Sequence, residues 1–146
     1  VNGQVDAATI GGYMDPVSGK FSPAPQTVEV LASGRELTHL DWTKDAVEKT
    51  ASKDIRLFPI QVPAKAVNGL EAPLWIGADL HGLFAHPDFS EEYAYILAKA
   101  MIENIEAFGK YHALGGLMSR AGLVKGFSPE NIHPGALRAY KEAGIL

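Results

Sequence analysis

At 146 residues, with 47% hydrophobic and 21% charged side chains, the chain suits one ordinary globular domain and is neither disordered nor fibrous. A net charge of −4 and a pI near 5.7 exclude phosphate-backbone binding, which needs clustered Lys and Arg, so nucleic acid is not an expected partner. The absence of cysteine excludes disulfides, thiolate zinc sites and a cysteine nucleophile; no apolar run nears the roughly 20 residues that cross a bilayer, and no basic-then-apolar leader opens the chain, so a soluble protein is expected.

The segment from Val1 to Ala8 lacks an initiating methionine and reads as a turn at Gly3 running into a strand, an internal start. Val5 to Ile10 is small or β-branched, which predicts a short buried strand of a parallel sheet, broken by Gly11-Gly12. Tyr13 to Pro25 holds three prolines and predicts a surface loop. Gln26 to Ala32 predicts a short helix ended by Ser33-Gly34, Glu36 to Leu40 a strand, and Thr43 an N-cap for a helix with Asp45 in its first turn. Together these make a β-α-β-α run.

Ile55 to Val62 and Ala72 to Phe84 predict two interrupted strands joined by the Asn68-Gly69 turn. Pro59 and Pro63 argue against a regular central strand and place a hinge near Pro59 to Ala64. Asp88-Phe89-Ser90-Glu91 has the form of a capping box for the longest helix. Ala94, Leu97, Ala98, Met101, Ile105 and Phe108 are expected on its packed face, and Glu91, Glu92, Lys99 and Glu106 on the wetter side. A helical stretch through Leu114 to Ala121 and a loop from Gly126 to Asn131 lead to a last helix that starts at or just before Pro134 and stops at Gly144.

Chemistry-bearing clusters are sparse. His81, His86 and Asp88 lack the fixed helical geometry of a metal site and read as polar residues flanking a strand end; His133 reads as a helix-start residue bonded to local backbone. Ser90, Ser119 and Ser128 read as caps or loop residues, with no Gly-x-Ser-x-Gly elbow. The carboxylate pairs Glu91 with Glu92 and Asp41 with Asp45 read as solvated helix ends. Most aromatic residues are expected in the core or at its rim. The candidate ligand-binding residues are Gly11, Gly12 and Tyr13, where backbone N–H groups at a strand end can face an anion beside an aromatic ring. No catalytic residue, cofactor or metal ligand is assigned.

The ending from His133 to Gly144, His-Pro-Gly-Ala-Leu-Arg-Ala-Tyr-Lys-Glu-Ala-Gly, resembles that of the TAXI family of TRAP transporter solute receptors. Gly3-Gln4-Val5-Asp6-Ala7, Thr27 to Ser33 with Leu37 to Asp41, and Phe89 to Ala100 resemble further segments of that family in the same order. The Tyr13 to Pro25 loop is longer and more polar than the family pattern, and Ala98 stands where threonine is common.

The resemblance implies an α/β, periplasmic-binding-protein-like fold of the second type, two-lobed, with this chain as its C-terminal half. Residues 1–58 would be the C-terminal part of the second lobe, and 59–146 the hinge return and C-terminal part of the first. It further implies an extracytoplasmic, periplasmic receptor that captures a small organic anion, an amino acid or dicarboxylate, by lobe closure and delivers it to TRAP membrane subunits. Two other readings stand beside it: an enzyme on a related fold, and a self-sufficient α/β interaction domain able to form a homo-oligomer.

Overall fold

The computed structural model describes residues 6–9, 11–53 and 57–146, and among these the strands form two short antiparallel ribbons. Strand β1 (Gly12–Met14) pairs with β2 (Phe21–Pro23), and β3 (Phe58–Val62) with β4 (Leu74–Ala78). Four α-helices accompany them among the described residues: α1 (Pro25–Leu31), α2 (Lys44–Ala51), α3 (Glu91–Glu103) and α4 (Pro134–Glu142). The chain is thus mixed α/β. By contact it divides into two units, residues 1–14 with 19–80, and residues 15–18 with 81–146.

In the first unit the expected parallel strand is not found. Val5 and Ile10 lie outside the described residues, while residues 6–9 are irregular and exposed. Small residues such as Ala7 and Ala8 offer a sheet little side-chain packing, and among the described residues no strand pairs with them. The Tyr13 to Pro25 loop instead contains a hairpin: Gly12 faces Pro23, Tyr13 faces Ser22 and Met14 faces Phe21. The expected strand from Glu36 to Leu40 is irregular, with Leu37 and Leu40 exposed, because alternation without a ladder partner leaves backbone groups to water.

The helix expectations are met here. Pro25 opens α1 with its fixed φ, and Gly34 follows it at φ +70, the left-handed conformation that glycine adopts without a Cβ clash. Thr43 caps α2 by accepting from the Ala46 N–H at 3.2 Å. Val47 of α2 is fully buried, Val62 of β3 is buried, and α2 packs on both β3 and β4. Pro59 sits within β3 opposite Gly77; in a two-stranded ribbon each strand has an open edge, so its missing N–H is tolerated. The connection from β3 to β4 folds back on itself through Lys65 N–H to the Leu70 carbonyl (2.7 Å) and buries Leu70.

The second unit is built on α3 against α4. Ser90, two residues after the expected Asp88, caps α3 by accepting from the Tyr93 N–H. The buried face is Ala94, Ala98 and Ile102, continued by Ile105 in a following 3-10 turn. This corrects the expected stripe: Met101 and Phe108 are half-buried and Leu97 is exposed. The expected helix from Leu114 to Ala121 is two 3-10 segments, Ala113–Leu117 and Ala121–Val124, and the loop from Gly126 holds a third at Pro129–Asn131. A Cβ on Gly115 would collide with the Phe108 carbonyl, so that turn requires glycine.

Helix α4 ends in a complete Schellman motif. The Ile145 N–H reaches the Tyr140 carbonyl at 2.9 Å and the Gly144 N–H reaches Lys141 at 3.1 Å, with Gly144 at φ +65. Ala98, Ile102 and Ala139 form the buried centre, with Tyr95, Leu123, Ala136, Tyr140, Ala143 and Ile145 packed around it. Among the described residues no helix is long and apolar enough to cross a membrane.

Candidate functional site

Gly11, Gly12 and Tyr13 lie together at the entry to β1, but their backbone is already engaged. The Gly11 N–H donates to Thr27 Oγ1 at 2.9 Å, and the Thr27 hydroxyl donates back to the Gly11 carbonyl at 2.5 Å. That same carbonyl also accepts from the Ala24 N–H at 3.0 Å. Thr27 is 2% exposed, so one threonine on α1 latches the strand entry to the helix. Gly12 has a packing reason of its own: a Cβ there would strike the Phe21 ring and lie 2.7 Å from the Ser22 carbonyl oxygen. Tyr13 is half-buried within the ribbon.

A second polar cluster belongs to the second unit. Buried Asp15 accepts from the Val17 N–H (3.0 Å), the Ser18 N–H (3.2 Å), the Ser18 hydroxyl (2.5 Å) and the Ser119 hydroxyl (3.1 Å). Burial disfavours its charge, but the hydrogen bonds from Ser18, Val17 and Ser119 outweigh it and hold the pKa below the ordinary 3.8. With its oxygens so occupied it is a folded-in turn anchor rather than a general base. Sequence reasoning missed it, although Asp15-Pro16 followed by Ser18 is a turn signal of the kind in which an aspartate accepts backbone N–H groups.

His133 performs the helix-start role expected of it. Its Nδ1 accepts from the Gly135 N–H at 3.4 Å while Nε2 lies 3.0 Å from the Phe89 carbonyl, so the neutral tautomer with the proton on Nε2 satisfies both. Gly135 is where α4 meets α3: a Cβ there would run into the Glu91 carbonyl and lie 2.9 Å from the Tyr95 N. Around this contact Tyr95 donates to Glu142 at 2.7 Å, Arg138 stacks 4.1 Å from the Tyr95 ring centroid, and Arg138 pairs with Glu92 at 3.1 Å. The hydrogen bond to Glu142 raises the Tyr95 pKa, and burial raises that of Tyr140. This network was not foreseen; its members are ordinary surface residues until α3 and α4 are brought together.

The other candidates resolve into local roles. His86 Nδ1 accepts from the Asp88 N–H at 3.2 Å in an exposed turn, and among the described residues no group of three or more His, Cys, Asp or Glu is placed to hold a metal ion. Ser119 accepts from the Gly122 N–H and Ser128 from Asn131 Nδ2. Asp41 accepts from the Trp75 N–H at 3.2 Å. Of the aromatic residues, Tyr13, Trp75, Tyr95 and Tyr140 are half-buried, as expected of most of them, while Trp42, Tyr93 and Tyr111 are exposed. An open crevice of about 360 Å³ is lined by Lys65, Val67, Asn68, Gly69, Leu70 and Glu71, none of them a predicted site residue.

Among the described residues no buried side-chain nitrogen or oxygen lacks a hydrogen-bond partner. In comparison with known families, residues 4–144 match the NMT1-like family, which is periplasmic-binding-protein-like and includes substrate-binding proteins of TRAP and ABC transport. It is a family of binding proteins rather than enzymes. Comparison with curated proteins gives no significant match.

Proposed function

This chain belongs to the NMT1-like family, whose members are in general solute-binding receptors and typically extracytoplasmic, and on that premise we propose that it is part of a TAXI-type receptor of a TRAP transport system. The receptor captures a small organic anion, of the amino acid or dicarboxylate class, and hands it to TRAP membrane subunits from the periplasm. The chain is its C-terminal half, with residues 1–58 completing the second lobe and 59–146 returning through the hinge to complete the first. Ligand is held by lobe closure, with no bond made or broken.

The observation that carries this reading is the match over residues 4–144, joined to the ending from His133 to Gly144. Supporting it, the three marked residues of that ending each meet a steric or hydrogen-bonding demand: His133 as cap, Gly135 at a backbone contact, Gly144 as left-handed stop. Gly11, Gly12 and Tyr13 are the proposed ligand contacts. Because the Gly11 N–H is held by Thr27 and Gly12 is paired with Pro23 in the ribbon, the Tyr13 ring is the group to test.

The test is a thermal-shift titration of the whole receptor against amino acids, dicarboxylates and neutral sugars. A specific anion is expected to raise the melting temperature in proportion to the logarithm of its concentration above Kd, a stabilisation of about 2.7 kcal/mol at a hundredfold excess, and Tyr13→Ala is expected to weaken it. Stabilisation by neutral sugars alone, or by no solute of these classes, overturns the proposal.

The reading as an interaction domain is favoured by one feature, the exposed apolar side of α3 formed by Tyr93, Ile96 and Leu97. Light scattering on the purified chain decides it: a concentration-dependent dimer supports that reading, and a monomer at high concentration removes it.

A further inference from the structure

The turn that sequence analysis singled out between β3 and β4 has no part in the receptor reading, yet it has chemistry of its own. Asn68 and Gly69 are exposed in the β3–β4 connection, Gly69 sits at φ +82, and as a glycine it carries no side chain to shield its own backbone nitrogen. Neither the Asn68 amide nor the Gly69 N–H makes a hydrogen bond among the described residues, although bonds surround them: Lys65 N–H to Leu70, Ala66 N–H to Pro63 and Leu70 N–H to Val67. Space is also available, since both residues line the open crevice with Lys65 and Glu71.

The other described asparagines are also exposed, but they differ in their hydrogen bonding and in the residue that follows them. Asn104 Nδ2 donates to the Ala100 carbonyl at 2.9 Å and Asn131 Nδ2 to Ser128 Oγ at 3.0 Å, and each is followed by an isoleucine whose branched Cβ crowds the approach.

We propose that Asn68–Gly69 is a spontaneous modification site at which the asparagine amide is converted to a carboxylate. The Gly69 amide nitrogen, having lost its proton to base, attacks Asn68 Cγ. A Cγ–N bond forms, the Cγ–Nδ2 bond breaks, and the Nδ2 group takes a proton and leaves as ammonia, giving a five-membered succinimide. Solvent water then adds across either ring carbonyl, giving aspartate or isoaspartate. No oxidant, reductant or cofactor enters. The product places a new negative charge beside Lys65 and Glu71, and the isoaspartate form adds a methylene to the main chain within the turn closed by the Lys65–Leu70 bond.

The test incubates the whole chain in neutral and mildly alkaline buffer, native and in urea, followed by peptide mapping that separates aspartate from isoaspartate. The peptide holding Asn68 is expected to gain the mass of an amide-to-acid change severalfold faster than those holding Asn104 or Asn131. The native rate is expected to approach the urea rate, and to rise with pH. Asn68→Gln, whose ring would need six members, is expected to abolish the change while Asn131 reacts as before. Native protection of Asn68 well below its rate in urea, or conversion no faster than at Asn131, overturns the proposal.

Discussion

The α3–α4 pair and the α2–β3–β4 cluster are each small, but they are held by different means. In the first, Gly135 lets the α4 backbone touch the α3 backbone at Glu91, and alanines at 94, 98 and 139 keep the two helices close along their length. In the second, a ribbon of two five-residue strands is covered by an eight-residue helix, and the contact rests on a few full-sized side chains, Val47, Val62 and Leu70. A contact made through backbone tolerates no added atom. A contact made through single side chains tolerates reshaping but not their loss.

The largest effect that tests this contrast is Ile102→Asp, which buries an unpaired charge between α3 and α4 and is expected to cost about 4 kcal/mol or more. Met101→Asp, on a half-buried position next to it, should cost clearly less, as measured by urea unfolding. Equal losses would mean that the packed face of α3 is the wider stripe expected from periodicity. Next comes Gly135→Ala, expected to destabilise by about 3 kcal/mol because the added Cβ meets backbone that cannot swing aside; a change under ~1 kcal/mol would show that the helices can separate at little cost.

On the ribbon side, Val47→Ala removes two buried methyl groups and is expected to cost about 2 kcal/mol. Its unfolding midpoint should fall with the slope unchanged. The smallest effect is the acid response of Asp15. Its folded pKa lies below 3.8 while the unfolded value is about 3.9. Its contribution is therefore full above that unfolded value and is lost as pH falls through the lowered folded one. Asp15→Asn should flatten the acid limb of a stability-versus-pH curve; an unchanged limb would mean that other carboxylates govern it.

The same contrast explains what could be read in advance. Helix ends at Gly34, Thr43, His133 and Gly144 were legible because a cap is set among residues within four positions of one another, whatever lies elsewhere. The strands expected at Val5 to Ile10 and Glu36 to Leu40 were not legible, because a strand exists only where a partner offers its backbone. Among the described residues, 6–9 and 36–40 have no such partner, whereas Gly12 to Met14, inside a proline-rich stretch, found one in Phe21 to Pro23. The proposed site shows this as well. Gly11 and Gly12 stood out by type, but the fate of the Gly11 N–H depended on Thr27, sixteen positions away.

By itself, then, the order of residues determined the caps, the helix stops, the turn glycines and the family ending, all of them matters of short-range sterics and hydrogen bonding. Tertiary structure alone decided which face of α3 is buried, why position 135 must lack a Cβ, and that Asp15 is folded in rather than exposed. Those outcomes turn on which backbone comes within van der Waals reach of which, and that distance is set by packing between elements remote in the chain.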